Sequence, residues 1–181
     1  SYDAYNHMLF ADHYRLDWWS LWEPRWYTGF TVLSYPPLVH QVIGVLGWVM
    51  GVDSAYALIS WIVLSFYPLA IYTFSRIFVG RAASSYAALG GAFLPSLFLT
   101  AHVYGQLPTL TGALFTLFGA AVTAKFLRNG KRLTGLLAIF LFANVMAAHH
   151  ATLLFLPWLL GAVFLHLFLD RRLAKRQLIL R

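Results

Sequence analysis

Residues 55–75 read AYALISWIVLSFYPLAIYTFS, a run without one charged side chain. A helix rises 1.5 Å per residue, so about 20 residues cross a hydrocarbon core roughly 30 Å thick. Four more charge-free stretches follow: Ala82 to Ala101, Thr109 to Ala124, Leu133 to Ala148 and Ala151 to Leu169. The pattern predicts an all-α polytopic membrane protein with about five transmembrane helices. Composition points the same way. Of 181 residues 60% are hydrophobic and only 10% charged, and the mean hydropathy is +0.68. An ordinary soluble domain carries about 25% charged residues, so this chain lacks the charge to coat a water-facing surface. With no cysteine, disulfides, thiol catalysis and Cys-ligated metal are excluded. The opening Ser1, with no Met and no signal-peptide pattern, leads us to expect a piece of a longer protein.

The net charge of +7 would suggest nucleic acid in a soluble domain, but here the cations read as topology signals. Arg76 and Arg81 form one group, Lys125, Arg128, Lys131 and Arg132 a second, and Arg171, Arg172, Lys175, Arg176 and Arg181 a third. Two spans separate each group from the next, so all three share one side, the cytoplasmic one by the positive-inside rule. Val52 to Ser54, His102 to Gln106 and His149–His150 then lie outside. The acidic, Trp-rich residues 1–35 are placed outside too, and 38–52 becomes a short helix on or dipping into the outer leaflet, started by Pro36–Pro37. The chain thus divides into an extracytoplasmic segment (1–54) with interfacial helices, five transmembrane helices (55–169) and a cytoplasmic basic tail (170–181). Within the spans, Ala83, Ala87 and Gly91 predict a small-residue packing ridge, and Pro68 and Pro95 predict kinks. Ion-driven transporters usually hold charges inside the bilayer, and these spans hold none.

On the outer side several groups can carry chemistry. If Ala4 to Leu16 is helical, Asp3, Asn6 and His7 share a face. A carboxylate beside an imidazole could act as general base or help hold a divalent ion, although Asp3 also suits a helix N-cap. Arg15 and Arg25 are the outer cations able to grip a phosphate, and Arg25 between Trp22 and Trp26 equally suits a ring-packed surface arginine. His149–His150 at a turn between two spans, and His102 with Tyr104 and Gln106, face the same compartment.

The order of Tyr2-Asp3-Ala4-Tyr5-Asn6-His7, Trp26-Tyr27-Thr28-Gly29-Phe30, Tyr35-Pro36-Pro37-Leu38 and, after one span, Phe74-Ser75-Arg76-Ile77-Phe78-Val79-Gly80-Arg81 resembles the GT-C superfamily of integral membrane glycosyltransferases. Closest is a prokaryotic membrane domain labelled 6-pyruvoyl-tetrahydropterin synthase-related, although the zinc-binding histidine motif of the soluble synthase is absent. The resemblance implies transfer of a sugar from a polyprenyl-phosphate carrier to a glycan, lipid or protein acceptor, at the extracytoplasmic face of a prokaryotic plasma membrane. It places Asp3 as the catalytic acidic residue with His7 as its partner. Arg15 or Arg25 would hold the lipid phosphate, and His102, His149 and His150 would line the acceptor side. No second acidic motif like the metal-binding pairs of oligosaccharyltransferases follows, so a divalent metal is left open. A non-catalytic membrane scaffold or lipid-binding protein, and a lipid or polysaccharide transporter, are the alternative classes.

Overall fold

The structure is a computed structural model, and it describes residues 2–179, with the side chains of Tyr2, Ser34 and residues 171–179 left aside. The basic side chains expected to form the cytoplasmic tail therefore lie outside the described set, as does Arg181.

Helix α1 spans Tyr2–Leu16 and leads into a short antiparallel hairpin, β1 (Trp22–Glu23) with β2 (Phe30–Thr31), in which Trp22 faces Thr31 and Glu23 faces Phe30. Apart from this two-residue ladder the described residues are helical or irregular, in keeping with the all-α expectation. Gly29, at φ +94°, makes its turn, and an added Cβ there would stand 2.3 Å from the Trp22 ring. Pro37 precedes α2 (Leu38–Met50), whose 13 residues rise about 20 Å, too short to cross a bilayer.

Helices α1 and α2 run parallel in a fixed register. His7 meets His40, Ala11 and Tyr14 meet Gly44, and Arg15 meets Gly47 and Trp48. Gly44 makes this possible, since an added Cβ would stand 2.8 Å from the Ala11 carbonyl oxygen. At the far end the Trp48 indole N–H donates to the Arg15 carbonyl over 2.8 Å, satisfying a backbone group the helix end leaves open.

Helix α3 (Val52–Ser75) and helix α6 (Leu107–Asn129) are long and apolar enough to cross a membrane. Between them, α4 (Arg81–Ala92) and α5 (Pro95–Phe98), which continues as a π turn through Tyr104, meet at a 41° bend and make a third candidate if the pair is one span. Helix α7 (Arg132–Ala148) and the apolar part of α8 (Leu156–Ile179) are shorter. Helices thus occupy all five expected stretches, and two or three of them meet the length and composition needed to span. Pro95 follows a break in the chain, and Pro68 lies inside the continuous helix α3. The packing ridge of α4 differs from the expected one. Ser84 and Gly91 are buried while Ala83 and Ala87 are exposed, and Gly91 lies against Ile71 of α3.

Helices α6 and α7 pack antiparallel with glycine at each close approach: Gly112 against His149, Gly119 against Phe142 and Gly135 against Phe126. Each step advances one helix by seven residues and takes the other back by seven, the spacing at which helix faces realign after two turns. Tyr56 on α3 donates to the Gly105 carbonyl and Tyr67 to the Leu110 carbonyl, while the Ile77 carbonyl beyond the end of α3 receives both Arg128 and His166. Helices α3 and α6 therefore run in the same sense. Gln106 and His149 collect at one end of the bundle, and Arg76, Arg128 and His166 at the other.

Gly44→Ala is expected to destabilise the protein by about 1–3 kcal/mol despite the better helix propensity of alanine, because the obstacle is a backbone carbonyl. Gly90→Ala, where an added Cβ meets nothing within 4 Å, is the control expected to be neutral or mildly stabilising. Equal thermal unfolding of the two variants in micelles would contradict the close α1–α2 approach.

Candidate functional site

Asp3 lies in the first described turn of α1 rather than before it, so its carboxylate is free to reach sideways. It meets the Gln106 side-chain amide, 103 residues further along the chain. The π turn and the left-handed Gly105 (φ +70°) reverse the chain, the Tyr56 hydroxyl holds the Gly105 carbonyl over 2.9 Å, and Gln106 sits just before α6.

From there a chain of hydrogen bonds has only one consistent direction. A carboxylate oxygen accepts, so Gln106 turns its amide nitrogen to Asp3 and its oxygen to Thr109, whose hydroxyl donates over 2.8 Å. With its one proton committed, Thr109 accepts from His149 Nε2 at 3.3 Å. Neutral His149 then accepts the Thr152 proton at Nδ1, over 3.0 Å. Gly112 leaves room for this, since an added Cβ would stand 3.0 Å from Thr152 Oγ1 and 3.1 Å from His149 Cβ. The donors all point toward the Asp3 carboxylate.

One turn along α1, His7 is buried, and its tautomer also follows from its partners. The Pro36 carbonyl can only accept, so His40 donates from Nδ1 over 3.2 Å. His40 Nε2 then accepts the His7 Nδ1 proton over 3.0 Å. The lone pair of neutral His7 is left on Nε2. Burial pushes the His7 pKa down to about 4, against the raising pull of Asp3, and burial together with His7 pushes His40 down to about 3. Both rings are neutral at pH 7. The His7 ring stands edge-on to Tyr35 at 5.3 Å. Tyr35 with Asn6, Phe10, Trp26, Tyr27 and Phe30 lines an apolar hollow of about 310 Å³. Tyr27 is held at φ +55°, a conformation costly for a non-glycine residue, with its exposed ring stacked on Trp26 at 4.9 Å.

The structure therefore brings Asp3, His7 and His149 into one end of the bundle. It adds His40 and Thr109, which the sequence reading did not single out, and draws in Gln106, which that reading placed in the outer loop with His102. His150 is exposed and lines a neighbouring groove with Trp18 and Pro37, and His102 is exposed on the π turn against Phe98. Arg15 and Arg25 are not open cations. Arg25 grips Glu23 through Nε (2.8 Å) and a terminal nitrogen (2.6 Å) and reaches Asp12 through the other (2.5 Å), while Arg15 binds the second Asp12 oxygen at 2.8 Å. Glu23 is fully buried, also accepts from His13 Nδ1, and the Arg25 guanidinium holds its pKa down to about 2 despite that burial. This network ties the hairpin to α1. Any phosphate held by these arginines would have to displace a carboxylate. Among the described residues, no three His, Asp or Glu side chains converge as ligands would around a metal ion.

The chain matches no known protein-family model, no curated protein and no solved structure.

Because His7 and His40 titrate far below the ordinary histidine value of 6.5, the unfolded chain binds more protons than the folded one between pH 6.5 and about 4. Stability is expected to fall as pH drops through that window, by up to about 1.4 kcal/mol per pH unit for each ring. A denaturation series over pH 4–7 checks this: the double variant His7→Gln/His40→Gln should show a shallower slope, and an unchanged slope would contradict the neutral pair.

Proposed function

We propose that this protein is a membrane glycosyltransferase of the GT-C kind, transferring a sugar from a polyprenyl-phosphate carrier to an extracytoplasmic acceptor. In this reading all five apolar stretches cross the plasma membrane of a prokaryote, and the Asp3 end of the bundle faces outward. The observation that carries the proposal is Asp3, fed by donors from α6 and the α7–α8 turn, one helical turn from a neutral, buried His7 that packs on Tyr35 in the wall of an aromatic hollow. Flat apolar sugar faces and prenyl chains both suit such rings, and Asn6 supplies a polar group at its wall.

The chemistry is a displacement. The acceptor hydroxyl gives its proton to the Asp3 carboxylate, with His7 as the neighbouring partner of that carboxylate, its oxygen bonds to the anomeric carbon, and the bond from that carbon to the phosphate oxygen breaks, releasing the polyprenyl phosphate as an anion. Donors directed at Asp3 keep its carboxylate oriented. Arg15 and Arg25 enter this reading as the struts of the hairpin that carries Trp26 and Tyr27.

Asp3→Asn keeps the shape and removes the base. In the full-length protein it is expected to lower transfer from a polyprenyl-phosphate sugar by about 100-fold or more, read as radiolabelled sugar appearing in the acceptor fraction. Full turnover in that variant would sink the proposal.

A further inference from the structure

At the opposite end of the bundle, the last turns of α3 and α6 enclose a cleft of about 450 Å³ that the proposed transfer does not use. Arg76, Lys125 and Arg128 line it together, and Phe118 and Val122 form its apolar wall. Among the described residues these cations have no counter-charge of their own. Among the described residues every ion pair lies in the Asp12–Glu23 network at the other end, and Asp170, the carboxylate nearest this end in sequence, joins none. Arg76 donates one N–H to the Val79 carbonyl (2.9 Å) and Arg128 one to the Ile77 carbonyl (3.2 Å). Each guanidinium is thereby positioned while other N–H groups stay open, and Lys125 makes no hydrogen bond or ion pair among the described residues.

Three unpaired cations converging on one cleft call for an anion, and the shape of the cleft says which kind. From Asn129 at its mouth to Phe118 it runs three turns along α6, about 16 Å. A soluble anion would use only the mouth. A phosphate group carrying acyl chains would use both parts, the head among the cations and a chain along the Phe118–Val122 wall. We propose that this cleft binds the phosphate headgroup of an anionic phospholipid from the leaflet at the basic end of the bundle, a site separate from the Asp3 cluster.

The test offers purified full-length protein in neutral detergent a phosphatidylglycerol and a phosphatidylcholine of the same acyl chains, and reads retained lipid by native mass spectrometry. Phosphatidylglycerol should be retained at least about tenfold more tightly. Lys125→Gln, which disturbs no hydrogen bond among the described residues, should weaken that retention about fivefold with unchanged thermal unfolding, and Arg76→Gln/Lys125→Gln/Arg128→Gln should abolish the preference. Lys131→Gln/Arg132→Gln, two cations outside the cleft, should leave it intact. Millimolar inorganic phosphate should not displace the lipid. Equal retention of the two lipids, a loss in the control pair as large as in Lys125→Gln, or displacement by inorganic phosphate would each overturn the proposal, the last by assigning the cleft to a soluble anion.

Discussion

Helix α3 is apolar along its length, and yet only 17% of its candidate spanning stretch is covered by the rest of the protein. Trp61, Phe66 and Leu69 point outward from it, as do Ile139 and Phe140 from α7 and Trp158 and Phe164 from α8. In water such a surface would drive aggregation; in hydrocarbon it costs nothing. In hydrocarbon, apolar side chains also gain little by leaving their surroundings for one another, so helices associate by close packing and by polar contacts. The glycines follow that requirement. Gly44, Gly91 and Gly119 stand where an added Cβ would come within 3.0 Å of another helix, and Gly112 and Gly135 where the fit is tight.

The same constraint sorts the polar groups. Charges and imidazoles collect at the two ends of the bundle, and each end handles them differently. At the Asp3 end they are used up. Arg15 and Arg25 are paired with carboxylates, and the amide, hydroxyl and imidazole donors form one directed chain toward Asp3. What remains is the kind of group that accepts a proton, the Asp3 carboxylate with neutral His7 as its neighbour. At the basic end the cations are left over: among the described residues Arg76 and Arg128 are held by backbone carbonyls and Lys125 by no hydrogen bond. Proton-accepting side chains gathered at one end and basic side chains at the other is the chemical division the fold creates.

Most of the helix positions are legible in the sequence, because charges and Gly/Pro pairs punctuate the apolar runs. The Asp3–His7 pair is legible too, since their i, i+4 spacing puts them on one face, and His149 joins by counting spans. His40 is not, because its contact with His7 depends on how the connection from α1 to α2 folds back to set two parallel helices in register. Gln106 reads as a loop residue until the π turn aims it at Asp3. Glu23 looks like a surface acid beside Arg25, and only the hairpin buries it. Arg15 and Arg25 look like free cations because their carboxylate partners become neighbours only after α1 and the hairpin pack. The number of spans stays undecided in composition, since α7 and the apolar part of α8 sit just below the length that hydrocarbon requires.

The account rests on the two ends of the bundle lying on opposite sides of a membrane. The chain contains no cysteine, so single cysteines placed at the exposed positions Tyr5, Ser54, His150 and Asn129 of the full-length protein can be probed in intact cells with a membrane-impermeant thiol reagent. Labelling at Tyr5, Ser54 and His150 from outside, with Asn129 reached only after permeabilisation, is the predicted result. Asn129 labelling together with Ser54 in intact cells would place both ends in one compartment and contradict the account.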